Sequence, residues 1–316
     1  MKCKIPKELD VTFECRQYGI STWQCPQFLF LVMGMIVIIT ALSGYYVGTI
    51  YVDDPRIVAF VILILSSILM VMNFAISGSF GRLAEANKMK SEFISIVSHQ
   101  LRTPLSNLNW ATELLRSGKL GPIEEKQVEY FRILHENTNR MRELINDLLM
   151  VSRIETQTLL FKEEAFSLSN IVDDLVEEFF PIAKASHVDI DFDFAPDLPE
   201  LFGDAFQIKQ VVSNLIDNAI RYIKGEGLVR IKLIRKDDSL YFEIKDNGAG
   251  ISQEDHKYIF SKFFRSENAL KYQTQGSGLG LYIAKSIIKK AKGHMGFSSQ
   301  ENKGSTFWFT LPIKNI

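Results

Sequence analysis

Residues 98–105 read Ser98-His-Gln-Leu-Arg-Thr-Pro-Leu105. The string lies in a charged, periodic segment that predicts a helix from about Leu83 to Ser117. Pro104 has no N–H to donate to the carbonyl of Gln100, and its ring crowds that carbonyl. We therefore expect the helix to bend just after His99, which would open the imidazole to a bulky substrate.

A second helix is predicted after the turn sequence Gly118-Lys-Leu-Gly-Pro122, from about Ile123 to Glu155. Its apolar side chains keep a spacing of three and four residues: Val128, Phe131, Leu134, Met141, Leu144, Ile145, Leu148 and Val151. The two helices form an antiparallel hairpin whose apolar stripes are too broad for one partner. A dimeric four-helix bundle would bury them, so we predict a homodimer.

Upstream of this hairpin, two stretches carry no charged side chain, Phe28 to Ile50 and Ile57 to Ser77. Each is long enough to cross a bilayer as a helix, and the first begins too late for a signal peptide. Basic residues flank the pair on both sides: Lys2, Lys4, Lys7 and Arg16 before it, and Arg82, Lys88 and Lys90 after it. We predict a two-helix transmembrane hairpin in contact with lipid, multi-pass in the inner (cell) membrane, with both termini cytoplasmic. A buried soluble helical hairpin is the alternative.

Composition narrows the possible partners. The formal net charge is -1, so the chain as a whole has no positive electrostatic field that would attract nucleic acid. No nucleic acid partner is therefore expected. Cys3, Cys15 and Cys25 fit neither a disulfide framework nor a zinc site. We interpret them as free thiols, with a redox or metal sensor as the alternative.

The C-terminal half predicts a mixed α and β domain. Alternating apolar residues at Val229–Leu233 and Leu240–Ile244, joined by the turn Lys236–Ser239, predict a β-hairpin. Further strands are expected at His187–Phe194 and Thr306–Leu311, and helices at about Leu168–Ser186, Ala205–Lys224 and Leu279–Lys292. This pattern is typical of an α+β sandwich with helices on one face of the sheet.

One helix of this domain has a polar face of a particular kind. Asn214, Asn218 and Arg221 are spaced four and three apart, so they share the side opposite its apolar residues. Two amides and a guanidinium on one stripe suit magnesium and phosphate oxygens. The alternative is an ordinary solvated polar face.

Three glycine-containing segments follow this helix. Asp246-Asn-Gly-Ala-Gly-Ile251 comes after a strand, and its glycines permit close backbone approach. Gly276-Ser-Gly-Leu-Gly280 opens a helix, where free N–H groups form an anion site. Gly304-Ser-Thr306 precedes the last strand. Taken singly, the first segment could be a plain turn, the second an ordinary glycine-rich run and the third only the start of a strand.

In combination, these motifs resemble the asparagine and glycine boxes of the ATP-binding domain shared by histidine kinases, gyrase-type ATPases and MutL-like proteins, a GHKL-type (Bergerat-type) fold. Residues 98–105 resemble the phosphoacceptor box of sensor histidine kinases of bacterial two-component systems. The resemblance extends from about residue 88 to the C-terminus. It implies that His99 is phosphorylated from ATP and that the phosphoryl group passes to an aspartate in the receiver domain of a response regulator.

The resemblance also implies roles for single residues. His99, Gln100 and Thr103 would be catalytic, and Asn218 would hold Mg2+. The ATP-binding residues would be Asn214, Asn218, Arg221, Tyr222, Asp246 (for adenine), Gly248, Gly250, Phe263, Arg265, Gly276, Gly278, Leu279, Gly280 and Thr306. Residues from about Ser266 to Gln275 would form a lid.

Two positions depart from the family pattern. Gln100 stands where the family usually has Glu or Asp, so autophosphorylation should be slowed, and a phosphatase-dominant or kinase-impaired sensor is the alternative function. Asn302 replaces a common Gly, but Asn tolerates positive φ. A scaffold that binds ATP only structurally and a gyrase-type ATPase without phosphohistidine are further alternatives.

The predicted organisation has five parts. They are a cytoplasmic N-terminal segment (1–27), two transmembrane helices (28–77), a linker helix (78–87), a dimerisation and histidine phosphotransfer domain (88–156) and a catalytic ATP-binding domain (157–316). The second span is expected to run through Gly78 and Gly81 into the first hairpin helix, with a soft joint at these glycines as the alternative.

Overall fold

The computed structural model describes residues 26–119, 121, 123–156, 158–266 and 276–313. The chain divides into two compact units. One unit contains the residues up to Thr103 together with Glu155–Leu159, and the other contains Pro104–Ile154 and Leu160–Ile316. The N-terminal cysteines, the basic residues before the first apolar stretch and lid positions 267–275 lie outside the described residues.

The first unit contains a pair of apolar helices. Helix α1 spans Pro26–Tyr51 and helix α2 spans Pro55–Arg116. Within them, Phe30–Tyr51 and Pro55–Leu83 are long and apolar enough to cross a membrane, by length and composition. The helices run antiparallel, because Asn73 Nδ2 donates to the Phe30 carbonyl at 3.3 Å while Val58 packs against Gly48 near the connection. The two predicted apolar helices are therefore present.

Helix α2 is one continuous element from the apolar region to Arg116, and it contains Gly78, Gly81 and Pro104. A glycine inside a helix costs only about 1 kcal/mol relative to Ala. The long helical stretches on either side outweigh that cost. The predicted linker helix 78–87 is thus part of α2, and the chain stays helical through Pro104.

The second helix of the predicted hairpin, α3, spans Glu125–Glu155, two residues shorter at its start than predicted. The turn before it includes Gly118 at φ 69°. Near the C-terminal end of α3, Val151 is 5% exposed and belongs to the core of the following domain.

The C-terminal domain is built on a five-stranded sheet. Its elements are β1 (Glu164–Phe166), α4 (Leu168–Ala185), β2 (Val188–Phe194), β3 (Leu201–Gly203), α5 (Ala205–Arg221), β4 (Gly227–Lys236), β5 (Ser239–Asp246), α6 (Gly280–Lys290), β6 (His294–Gln300) and β7 (Gly304–Pro312). The sheet order is β2-β4-β5-β7-β6, with β2 parallel to β4 and the other pairs antiparallel. Strands β1 and β3 form a separate antiparallel pair.

One face of the sheet is buried by α4, α5 and α6. Alternate residues of β4, β5 and β7 point to that face, and Phe242 and Phe309 stack there with ring centroids 4.8 Å apart. Leu175, Val212 and Ile287 from the three helices join the same cluster, each at most 1% exposed. Each such side chain contributes about 1.5–3 kcal/mol by leaving water. The prediction of an α+β sandwich with helices on one sheet face is confirmed.

The element boundaries differ from the prediction in small ways. His187 has φ 57°, so β2 begins at Val188 rather than at His187. Helix α5 ends at Arg221 instead of Lys224, because the Tyr222 N–H already closes the last turn on the carbonyls of Asn218 and Ile220. Strands β1, β3 and β6 were not predicted.

Candidate functional site

Helix α5 positions the predicted asparagines. It begins at Asp204, whose Oδ1 accepts from the Gln207 N–H at 3.0 Å and caps the helix. Its apolar side, including Leu215 and Ile216, packs in the core at 1% exposure or less. Burial of that side turns Asn214 and Asn218 toward a cavity.

The two asparagines contact each other, because Asn218 Nδ2 donates to Asn214 Oδ1 at 3.4 Å. Asn214 Nδ2 is buried and finds no hydrogen-bond partner among the described residues. A buried donor without a partner costs about 1–3 kcal/mol. An anionic ligand in the cavity would satisfy it.

Asp246 lies at the end of β5 and is 6% exposed. Its Oδ1 accepts from the Gly248 N–H at 2.8 Å and from the Ser305 N–H at 3.1 Å. Burial raises the pKa of Asp246 to about 6, although these backbone donors act in the opposite direction. The carboxyl group is therefore fixed by the backbone at the cavity wall, with Oδ2 accepting neither of these bonds.

Glycine is required at Gly250, which has φ 66°. A Cβ there would collide with the carbonyl oxygen of Gln300. The neighbouring Ala249 N–H donates to the Tyr222 carbonyl at 2.9 Å, and its carbonyl accepts from the Asn302 N–H at 2.7 Å. Asn302 has φ 61°, which agrees with the expectation that Asn tolerates positive φ at this position.

The loop Gly276–Gly280 leads into α6, where Leu279 is the N-cap residue and makes no side-chain cap bond. Gly278 has φ 68°, and a Cβ there would meet the backbone of Phe263 at 2.8 Å. The Leu279 N–H points to Ser277 Oγ at 3.2 Å. The first turn of α6 thus presents backbone N–H groups, an arrangement that favours anions.

These segments surround one cavity of about 490 Å³. Ten predicted ligand-binding residues line it: Asn214, Asn218, Arg221, Tyr222, Asp246, Gly250, Arg265, Gly276, Gly278 and Gly280. Gly248, Phe263, Leu279 and Thr306 are not among its described lining residues. Leu279 points into the core at 2% exposure, and Thr306 lies between Lys245 and Ser298 in the sheet, so neighbouring Ser305 reaches the cavity instead.

Charged side chains line part of the cavity. Arg221 Nε contacts Asp217 Oδ1 at 2.6 Å, and Arg265 donates to the Gly276 carbonyl at 3.4 Å. Burial raises the pKa of Asp217, against the lowering effect of Arg221. Burial also raises the pKa of Tyr222, while Arg265 lowers it. The guanidinium groups of Arg221 and Arg265, which both line the cavity, can neutralise phosphate charge.

Part of the cavity wall was not predicted from the sequence. Helix α3 contributes a polar stripe at helical spacing: Glu136, Asn139, Arg140, Glu143 and Asp147, with Leu144 among them. Asp217 was not predicted either, although it lies four residues before Arg221, a spacing that indicates an ion pair on one helix face. The stripe lies on a helix that the sequence assigns to the dimerisation and histidine phosphotransfer domain, not to the ATP-binding domain.

The whole phosphoacceptor string lies within α2; residues 98–103 belong to the first unit, and Pro104 and Leu105 to the second. The side chains of His99, Gln100 and Thr103 are exposed, whereas Ser98 is 1% exposed. No hydrogen bond joins the side chains of His99 and Gln100 in the part of the chain that the structure describes. The imidazole is therefore accessible, and its neighbour does not orient it in this state.

The donor set in the cavity suits a hard cation held together with a phosphate ligand. No group of three His, Cys, Asp or Glu side chains capable of holding a metal ion occurs among the described residues. Asn218 uses Nδ2 to contact Asn214, which leaves its Oδ1 as an oxygen donor. Magnesium is commonly held by one or two protein oxygens, several waters and substrate phosphates. A single oxygen from Asn218 beside a phosphate ligand agrees with this coordination.

Two family models match the chain. Residues 89–157 match the His Kinase A (phospho-acceptor) domain. Residues 203–315 match the histidine kinase-, DNA gyrase B-, and HSP90-like ATPase.

Similar proteins match about three quarters of this chain. The Non-motile and phage-resistance protein of Caulobacter vibrioides is 35% identical over 73% of this chain and 28% of its own length. The sensor histidine kinase RppB of Synechocystis sp. is 32% identical over 73% of this chain and 51% of its own length. The crystal structure of full-length ShkA in complex with AMPPNP has the same fold, with a TM-score of 0.60 at 24% identity, covering 71% of this chain and 46% of that one. The chain thus spans about a quarter to a half of the length of the relatives it matches.

Proposed function

This chain belongs to the sensor histidine kinases of bacterial two-component systems, and from that premise we propose that it transfers the γ-phosphoryl group of ATP to His99. The observation that carries the proposal is the cavity of the C-terminal domain. It combines an unpartnered amide donor at Asn214, a buried carboxylate at Asp246 and a glycine loop at a helix N-terminus. Each of these groups can bind one part of ATP.

We assign the parts of the nucleotide to the cavity as follows. Oδ2 of Asp246 would accept from the exocyclic amine of adenine, and the backbone at Gly250 would form part of the wall beside the ring. Asn214, Arg221, Tyr222 and the N–H groups of the Gly276–Gly280 loop would contact the phosphates. Bound at Asn218, Mg2+ would neutralise phosphate charge. Gly248, Phe263, Leu279 and Thr306 would act indirectly, by shaping the walls.

The transfer step needs little covalent chemistry from the protein. Nε2 of neutral His99 donates its electron pair to the γ-phosphorus, the bond from that phosphorus to the bridging β,γ oxygen breaks, and ADP leaves. The resulting phosphoimidazolium then loses its Nδ1 proton. Positioning and charge neutralisation supply most of the catalysis. The exposed imidazole of His99 suits attack on a large substrate.

We further propose that the chain acts as a homodimer in which the α2–α3 hairpins of two protomers form a four-helix bundle. The bundle would bury Phe93, Leu101 and Leu108, which are exposed in the single chain. A receiver domain of a response regulator would accept the phosphoryl group on an aspartate. In the separate dephosphorylation of that aspartate, Thr103 would orient the water that hydrolyses the acyl phosphate and releases inorganic phosphate. The spans in α1 and α2 would hold the protein in the inner membrane, in contact with lipid and with both termini in the cytoplasm.

Incubation of the full chain in detergent with radiolabelled ATP and magnesium tests the proposal. The protein should acquire a label that is lost in acid and kept in alkali, the behaviour of a phosphoramidate. A chain that hydrolyses ATP without acquiring this label would instead be a gyrase-type ATPase. Tight nucleotide binding without turnover or label would identify a scaffold.

Replacement of Gln100 by Glu should increase the initial rate of autophosphorylation by about 10–100-fold. A carboxylate can orient the Nδ1–H and accept its proton, whereas the amide of Gln100 only accepts a hydrogen bond. Initial rates of label incorporation at saturating ATP measure this effect. Gln100→Met removes, at similar volume, the side-chain oxygen that could accept from Nδ1–H, and it should be slower than the wild type. A Gln100→Glu rate at or below the wild-type rate would contradict the assigned role.

Gln100 also favours a second candidate function, a sensor that mainly dephosphorylates its response regulator. In that case the wild type would scarcely label, yet it would accelerate loss of phosphate from a phosphorylated receiver domain. Thr103→Ala should remove that acceleration. The two functions are separated by measuring both rates on one preparation.

A further inference from the structure

The glycine loop contacts α3 through one hydrogen bond that the proposed reaction does not use. Ser277 Oγ donates to Asp147 Oδ2 at 2.8 Å, across 130 positions of sequence. The same oxygen faces the Leu279 N–H at 3.2 Å. The serine hydroxyl therefore connects a carboxylate on α3 to the N-terminal turn of α6, which is the anion-binding part of the cavity.

In the part of the chain that the structure describes, no basic side chain forms an ion pair with Asp147. Glu143, one turn earlier on α3, lines the same cavity. Burial raises the pKa of Asp147, the hydrogen bond from Ser277 lowers it, and the charge of Glu143 raises it further. The carboxylate is thus held in a place that already disfavours negative charge.

A polyphosphate in this cavity would add more negative charge near that carboxylate. Like charges a few Å apart repel more strongly at a half-buried site than in water, because the effective dielectric constant is lower. The repulsion grows with the charge of the ligand. An uncharged nucleoside would not be repelled by Asp147.

We infer that Asp147 is a specificity-determining residue of the nucleotide site, which opposes bound phosphates in proportion to their charge while it ties the glycine loop to α3. The inference rests on the proposed function, since it assumes that the cavity binds a nucleotide. By linkage, a displacement of α3 that moves Asp147 away from Ser277 would tighten ATP binding, and ATP binding would favour that displacement equally.

The test compares the affinities of the full chain in detergent for adenosine, ADP and ATP, measured by calorimetry at fixed magnesium and low salt. Asp147→Asn keeps the shape and an oxygen that can accept from Ser277, but it removes the charge. It should lower the Kd for ATP by about tenfold, the Kd for ADP by less, and the Kd for adenosine by under about twofold. Added salt should shrink the difference.

Two controls complete the design. Glu129→Gln removes a charge from the same helix at an exposed site paired with Arg132, and it should leave all three affinities unchanged. Ser277→Ala keeps the carboxylate and should not reproduce the charge-graded gain.

The possible outcomes separate this inference from the proposed function. Equal affinities in the wild type and Asp147→Asn would overturn it, and so would a change of the same size for all three ligands. A graded gain in Ser277→Ala that matches Asp147→Asn would overturn it as well, because the hydrogen bond rather than the charge would then be responsible. A wild type that binds none of the three ligands would overturn the proposed nucleotide site itself.

Discussion

A chain carrying His99→Asn should acquire no acid-labile phosphoryl label from ATP, a loss of at least about a thousandfold in rate relative to the wild type. The amide of Asn is not nucleophilic, so the step that forms the N–P bond cannot occur. His99 is exposed on α2, and therefore its replacement should cost little folding free energy.

The control is a histidine outside the motifs. His294 begins strand β6 and is exposed, and His294→Asn should label at the wild-type rate. Nucleotide affinity should be unchanged in His99→Asn, which shows that the cavity is intact. Continued acid-labile labelling of His99→Asn would identify another acceptor and would refute the assignment.

Replacement of Asp246 by Asn should have two large effects of opposite sign. Nucleotide affinity should fall by about a hundredfold, because an amide N–H would then face the adenine amine and a charged acceptor would be lost. The free energy of unfolding above pH 7 should rise, by at most about 3 kcal/mol, since the ordinary pKa of 3.8 is raised to about 6 in the folded chain.

The sign of the stability effect follows from this raised pKa. The wild type has the full stability of a neutral Asp246 only below the unfolded pKa near 3.8, and loses it as the pH rises through about 6. The difference between Asp246→Asn and the wild type should therefore grow between these values and level off above them. Denaturant unfolding of both proteins at pH 5 and pH 8 measures it. A variant that is less stable than the wild type at pH 8 would contradict the buried, backbone-fixed carboxyl group.

Much of the site was readable because the motifs are local. Asn214, Asn218 and Arg221 share a helix face by spacing alone, and the glycines at Gly250 and Gly278 occupy positive-φ positions that favour glycine. Each of these properties depends on a few consecutive residues, so sequence pattern is sufficient to find them.

Other site features depend on packing between distant segments. Ser305 rather than Thr306 reaches the cavity because of the pleat of β7 and its pairing with β5. The three-residue strands β1 and β3 exist only through their pairing with each other. No local pattern specifies such pairings, and so these elements were missed.

By itself the sequence determined the order of the helices and of strands β2, β4, β5 and β7, the apolar face of the sheet, the two long apolar helices and the family of the chain. Those features follow from periodicity and from short motifs. Only the tertiary structure decided that α3 forms a wall of the cavity and that Asp147 meets Ser277. The physical reason is that a contact between residues 130 positions apart depends on how two elements pack, and neither segment carries that information alone.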